Sequence, residues 1–357
     1  GGRACAGPRL GRTGRGRAGP AAAAELAATH AMLATAGCPP PADPALQAKA
    51  DQKHEAVQTM IRNIEQAINR NEETDRQWLQ AILDPKQTDC FATLIKLLVS
   101  PQYKGFVGLR CVALRAVQLM LRIAGQMAGV TDDADLGMRC LLELVSRELA
   151  QEAYQEVVDM AEHGEPLAMC NAMLLLAELG AEALPREMVP RLLDLFLALP
   201  DRAEDLVEVA LRVHAWGGRH RHELLATAVS HMGGKFLCEV LIQMINRCDE
   251  KRVMRALKVV AGCLALPSSE SLLYTNDIRV LVEILLRELP NQSGDAAAFA
   301  CHADCFKALV ARCEAARAHR PGEALQVIKD LYNDENSGTA VRAKCAEVLS
   351  VISKGGG

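Results

Sequence analysis

Tyr274-Thr-Asn-Asp-Ile-Arg-Val-Leu-Val-Glu-Ile-Leu-Leu-Arg-Glu-Leu289 decides how this chain folds. Asp277, or Asn276 beside it, has a side chain able to accept a hydrogen bond from a free N–H of a first helical turn. Ile278, Leu281, Val282, Leu285 and Leu289 follow at helical spacing and share one face. More apolar surface spills onto Val280, Ile284 and Leu286. A helix that apolar has to be covered on more than one side. The run therefore predicts an inner element of a helical stack, spanning 277–289.

The neighbouring sequence continues the pattern. Helical periodicity recurs along the chain, for example at 48–70, 74–83, 136–149, 150–162, 166–179, 250–265, 297–318 and 339–353. The breaks fall at Asp84-Pro85, Ser100-Pro101, Gly217-Gly218, Gly233-Gly234 and Pro267-Ser-Ser269. Aromatic residues make up only 3% of the chain, which disfavours sheet, and no strand pattern stands out. A degenerate echo links Cys111–Leu119, Asn171–Leu179, Arg255–Leu264 and Lys344–Ile352, where Ala, Cys and Gly alternate with Leu and Val. Small residues let helices approach closely, and repeats of roughly 40 residues suit armadillo or HEAT stacking. The expected fold is all-α, an armadillo/HEAT-like helical solenoid over 48–354. A compact helical bundle uses the same residues and stays open as the alternative.

The first 47 residues read differently. Residues 1–50 carry six cations against two acids, a net of +4, which leaves −8 for the remainder of a chain whose net charge is −4. The Gly/Arg/Ala/Pro-rich opening has too little apolar surface to offset its ordering entropy, so residues 1–47 are expected to be a disordered tail. A transit peptide is not expected, because no serine precedes Ser100. The prolines between Cys38 and Ala45 read as a boundary. No apolar run approaches the roughly 18–20 residues that cross a bilayer. Thirteen cysteines are scattered through helical segments, as small hydrophobes are in a reducing compartment.

No motif of catalysis has its structural context. Gly14-Arg-Gly-Arg-Ala-Gly19 spells a dinucleotide fingerprint but has no strand before it. Cys301-His302-Ala-Asp-Cys305 lacks the second ligand pair of a structural zinc site. His214, His220, His222 and His231 cluster around a Gly-Gly turn without a carboxylate to orient them. No cofactor, metal, small-molecule substrate or enzymatic activity is expected. The charged feature that stands out is Lys251, Arg252, Arg255 and Lys258. Three of these cations lie on one stripe with Arg252 beside it, opposite Val253, Leu257, Val260 and Leu264. Such a stripe attracts an acidic protein surface. Nucleic acid is disfavoured by flanking Asp249 and Glu250 and by the missing aromatic side chains.

Leu272-Leu-Tyr-Thr-Asn-Asp-Ile-Arg-Val-Leu-Val-Glu-Ile-Leu-Leu-Arg-Glu-Leu289, with the amphipathic helices at 234–266 before it, resembles the leucine-rich domain of the WISH/DIP/Ldb-type family. That family comprises the Nck-interacting adaptor of animals and its fungal relatives. The resemblance implies an armadillo-like domain that binds the actin-related-protein complex and starts linear filaments without a pre-existing one. It also implies a cytoplasmic protein at cortical actin patches, with a role in endocytosis. No adaptor domain or long proline-rich region precedes the helices here, so Nck-type links are not expected. The rival expectation is a generic armadillo scaffold, either a cargo adaptor or a chaperone. The Trp-x-x-x-Asn ladder of import adaptors is absent, since Ile82 follows Trp78 and His220 follows Trp216 at that spacing.

Overall fold

A computed structural model describes residues 43–70, 72–84, 88–128, 153–180, 184–185 and 187–354. Contacts divide the chain into residues 1–47 and 48–357, and the account below concerns the second unit and the residues of the first that begin its opening helix. The helices are α1 (Pro44–Arg70), α2 (Glu73–Leu83), α3 (Cys90–Val99), α4 (Val107–Ala128), α5 (Tyr154–His163), α6 (Pro166–Leu179), α7 (Met188–Ala198) and α8 (Ala203–Trp216). They continue as α9 (Gly218–Ser230), α10 (Met232–Arg247), α11 (Glu250–Ala265), α12 (Thr275–Asn291), α13 (Ala296–Arg312), α14 (Glu314–Ala318), α15 (Pro321–Asn333) and α16 (Thr339–Lys354). There is no strand among the described residues.

The helices stack in two parallel rows. In the first, α4 packs on α6, α6 on α8, α8 on α11, α11 on α13 and α13 on α16. In the second, α7 packs on α10, α10 on α12 and α12 on α15. Each second-row helix also packs on a first-row helix, as α3 on α4, α5 on α6, α10 on α11, α12 on α13 and α15 on α16. Because each helix meets only near neighbours in chain order, this is the armadillo/HEAT-like solenoid rather than a bundle around one axis. The four echo segments lie on α4, α6, α11 and α16, all in the first row. Their small residues are what allows those helices to pack closely: Ala113, Ala116, Ala172 and Ala256 have no exposed surface.

On α12 the expected face is enclosed. Ile278, Leu281, Val282, Leu285 and Leu289 are buried, and so are Ile284 and Leu286; Val280 alone of the apolar set is exposed. The start differs from expectation. The helix begins at Thr275, Tyr274 occupies the cap position, and no side chain bonds a free N–H there. Asp277 instead sits inside the first turn, where partial burial raises its carboxyl pKa. Its negative charge still suits the positive end of the helix.

Two other expectations are corrected. The segment 297–318 is two helices, because Cys313 adopts an extended backbone. No Gly or Pro marks the break; Arg317 Nη1 donates to the carbonyls of Val310 and Ala311 and caps the end of α13. Burial of Cys313 and Ala316 holds the turn in place. The helix expected from residue 48 starts four residues earlier, at Pro44. Asp43 Oδ1 accepts from the Ala45 N–H at 2.8 Å, and a proline in a first turn forfeits no bond. The segment 136–149, the start of 150–162 and the fingerprint-like Gly14–Gly19 lie outside the described residues. No described helix is long and apolar enough to cross a membrane; α9 and α10 reach that composition only together, across a 105° bend.

Candidate functional site

α11 is set up by its own sequence. Asp249 Oδ1 accepts from the Arg252 N–H at 3.1 Å, which caps the first turn and directs the chain into the row. Val253, Ala256, Leu257, Val260, Cys263 and Leu264 then face inward and are buried. The hydrophobic face holds the opposite side at the surface, where Lys251, Arg252 and Lys258 are exposed and Arg255 is half-buried.

The four cations are not equivalent. Arg252 Nε lies 3.9 Å from Asp249 of its own cap. Arg255 reaches across to Glu208 of α8 at 3.5 Å. Lys251 and Lys258 have no carboxylate partner among the described residues. The stripe is therefore two arginines engaged with neighbouring carboxylates, flanked by two lysines that are not.

Arg255 is one rung of a ladder that follows the first row. Arg115 of α4 sits 3.6 Å from Glu65 of α1 and 3.4 Å from Asp205 of α8. Arg212 of α8 sits 3.0 Å from Glu178 of α6 and 3.2 Å from Glu208, which also meets Arg255. Farther along, Lys344 of α16 meets Asp304 of α13 at 2.9 Å, and Lys307 meets Glu347 at 2.6 Å. Most of these side chains are half-buried, Glu178 and Arg115 the most so, and burial of Glu178 raises its carboxyl pKa even beside Arg212. The use of these pairs is to cancel charge along the row. Among the described residues no such pair bridges α11 and α13, and Lys258 stands at that gap. Apart from Glu208 and Arg212, which are one helical turn apart, the partners sit 34 to 90 positions apart and leave no local pattern, so the ladder as a whole could not be read from the sequence.

The remaining candidate ligands do not converge. His302 is buried and its Nδ1 lies 2.8 Å from the Ala298 carbonyl of its own helix. Cys305 is buried, and burial pushes its thiol far above the ordinary range, whereas Cys301 is half-buried. Burial likewise pushes the Cys111 thiol up to about 11 and the Cys170 thiol up to about 12. These thiols pack as small apolar groups. His231 takes a structural role that its sequence position did not reveal. Its Nδ1 accepts from the Gly233 N–H at 3.1 Å and caps α10, so Nε2 carries the proton that faces Asp194 at 3.2 Å.

His214 is buried near the end of α8, and its pKa is lowered to about 4. Burial is the main cause, followed by the positive charges of Arg221 and Lys258. A histidine that is harder to protonate when folded contributes stability above its ordinary pKa near 6.5, and loses it as pH falls toward 4. Urea titrations should show the wild type losing roughly 2–3 kcal/mol more than His214→Leu across that window. Parallel pH profiles for the two proteins would mean that His214 is protonated equally well in both states.

Comparison with known families adds to this geometry. Residues 217–319 match the SPIN90/Ldb17, leucine-rich domain family. This is the WISH/DIP/Ldb-type family that Leu272–Leu289 resembles. The matched segment takes in α9 to α14, and so includes the whole cationic stripe, the paired glycines at 233 and 234, and the enclosed helix α12. The two rows continue on both sides of it. Among curated proteins, none matches this chain.

Proposed function

We propose that this protein is a non-enzymatic regulator of actin filament nucleation that binds the actin-related-protein complex, with α11 contributing cations to the contact. The family match at residues 217–319 carries the reading, together with what the resemblance of Leu272–Leu289 implies about binding that complex. Lys251 and Lys258 support it, as exposed cations with no carboxylate partner on a face otherwise neutralised pair by pair. Cations left in that state are free to meet a partner's acids, and they raise the rate of encounter. The work would take place in the cytoplasm, at cortical actin patches and in endocytosis.

Pyrene-actin assembly with the purified actin-related-protein complex tests the reading. Acceleration is expected without preformed filaments; a flat response over a wide dose range would remove the proposal. Lys251→Glu with Lys258→Glu should weaken binding to the complex by about tenfold or more, equivalent to about 1.4 kcal/mol. Helicity should be unchanged, since neither side chain has a partner to lose. Arg255 is the wrong residue to reverse, because a carboxylate there would face Glu208. Unaltered affinity in the double variant would reassign the stripe to solvent.

A further inference from the structure

A cleft of about 420 Å³ opens between α1, α3 and the turn that follows α3, well outside the segment that matches the family. Its size is at the lower end of the range for small-molecule sites. Lys53 of α1 and Lys96 of α3 line it, together with the hydroxyls of Thr93 and Ser100 and the amide of Gln102. No carboxylate does, although the chain as a whole carries a net negative charge. Neither lysine has an ion-pair partner among the described residues. The Lys53 ammonium sits 5.8 Å from the centre of the Tyr103 ring, itself buried, and this contact holds its stem over the cleft.

We propose that this cleft binds a phosphate ester. Two ammonium groups provide the charge, and lysine meets phosphate as a point charge without demanding one geometry. The hydroxyls and the amide provide neutral donors for the remaining oxygens. Leu97, Val99 and Pro101 also line the cleft and offer an apolar surface for the carbon skeleton of the ester. A bare inorganic ion would leave that surface unused. The ester can arrive as a soluble sugar phosphate or as the headgroup of a membrane lipid. The site is independent of the actin-related reading, since it uses no residue of α11.

Calorimetric titration of the full chain with soluble inositol trisphosphate, beside flotation with phosphatidylcholine vesicles containing or lacking a phosphoinositide, separates the two sources. Saturable binding of the soluble ester alone assigns a metabolite, and added capture by the phosphoinositide vesicles assigns a lipid headgroup. Either result should weaken at least roughly tenfold in the Lys53→Gln, Lys96→Gln variant and should fall as salt rises. Thr93→Val, at an exposed position, should give a smaller loss in the same direction. Circular dichroism should show both variants as helical as the parent. The proposal is overturned if neither probe binds, or if both bind the lysine variant as tightly as the parent.

Discussion

Replacing Gly233 or Gly234 by alanine should destabilise the protein by about 3 kcal/mol each, at the upper end for overpacking. Helix propensity alone argues the opposite sign. Both residues lie in the first turn of α10, and alanine is favoured over glycine inside a helix by about 1 kcal/mol. The packing reverses that preference. A Cβ on Gly233 would lie inside the contact distance of the Leu193 carbonyl oxygen and 2.7 Å from its carbon. A Cβ on Gly234 would strike the Ala228 carbonyl oxygen and lie 2.6 Å from its carbon. Both obstacles are backbone, one in α7 and one in α9, and neither can rotate away as a side chain tip could. The two glycines are where α10 is pressed between its neighbours in the stack. Urea denaturation of each single variant measures the cost, and the double variant should leave little folded protein. Stability unchanged or improved would mean that the approach of α10 to α7, for Gly233→Ala, or to α9, for Gly234→Ala, is looser than described. Gly262→Ala is the contrasting case. There the nearest atoms are the methyl ends of Leu225, at 2.9 and 3.1 Å, which have room to turn, so the loss should be smaller.

How far the molecule could be read from its sequence depends on how local each signal is. The buried face of α12 repeats every three or four residues, and the structure encloses every residue of that set. The small-residue echo located four of the helices in the first row, because close packing needs the same residues wherever it recurs. Signals that depend on distant partners were invisible. Arg317 caps α13 only because the chain turns back at Cys313, and no turn residue announces it. The cap of α12 was misplaced because Asp277 is a good first-turn residue as well as a good cap, and composition cannot separate those roles. For the candidate face, the spacing of Lys251, Arg255 and Lys258 was legible from helix geometry. That Arg255 is held by Glu208, 47 residues earlier, while Lys258 stands at a gap in the ladder, was not. The sequence could rank these four residues only as equals, and the fold divides them.

Leu285→Ala should cost roughly 2–5 kcal/mol, within the range for deleting a fully enclosed leucine. Leu285 has no exposed surface and lies midway along α12, which packs on α10, α13, α14 and α15. Helices enclosed from several sides relax poorly around a cavity, so the lost contacts are not regained by collapse. Val280→Ala on the same helix supplies the internal comparison. Val280 is 43% exposed, and trading a β-branched residue for alanine there improves helix propensity while losing little burial. Its change should stay within about 0.5 kcal/mol of zero. The contrast between the two variants tests whether α12 is an inner element or a surface helix, because propensity and burial predict different orders. If Leu285→Ala cost no more than Val280→Ala, the face of α12 now read as core would have to be open to a partner, and the second row of the stack would lose its central helix.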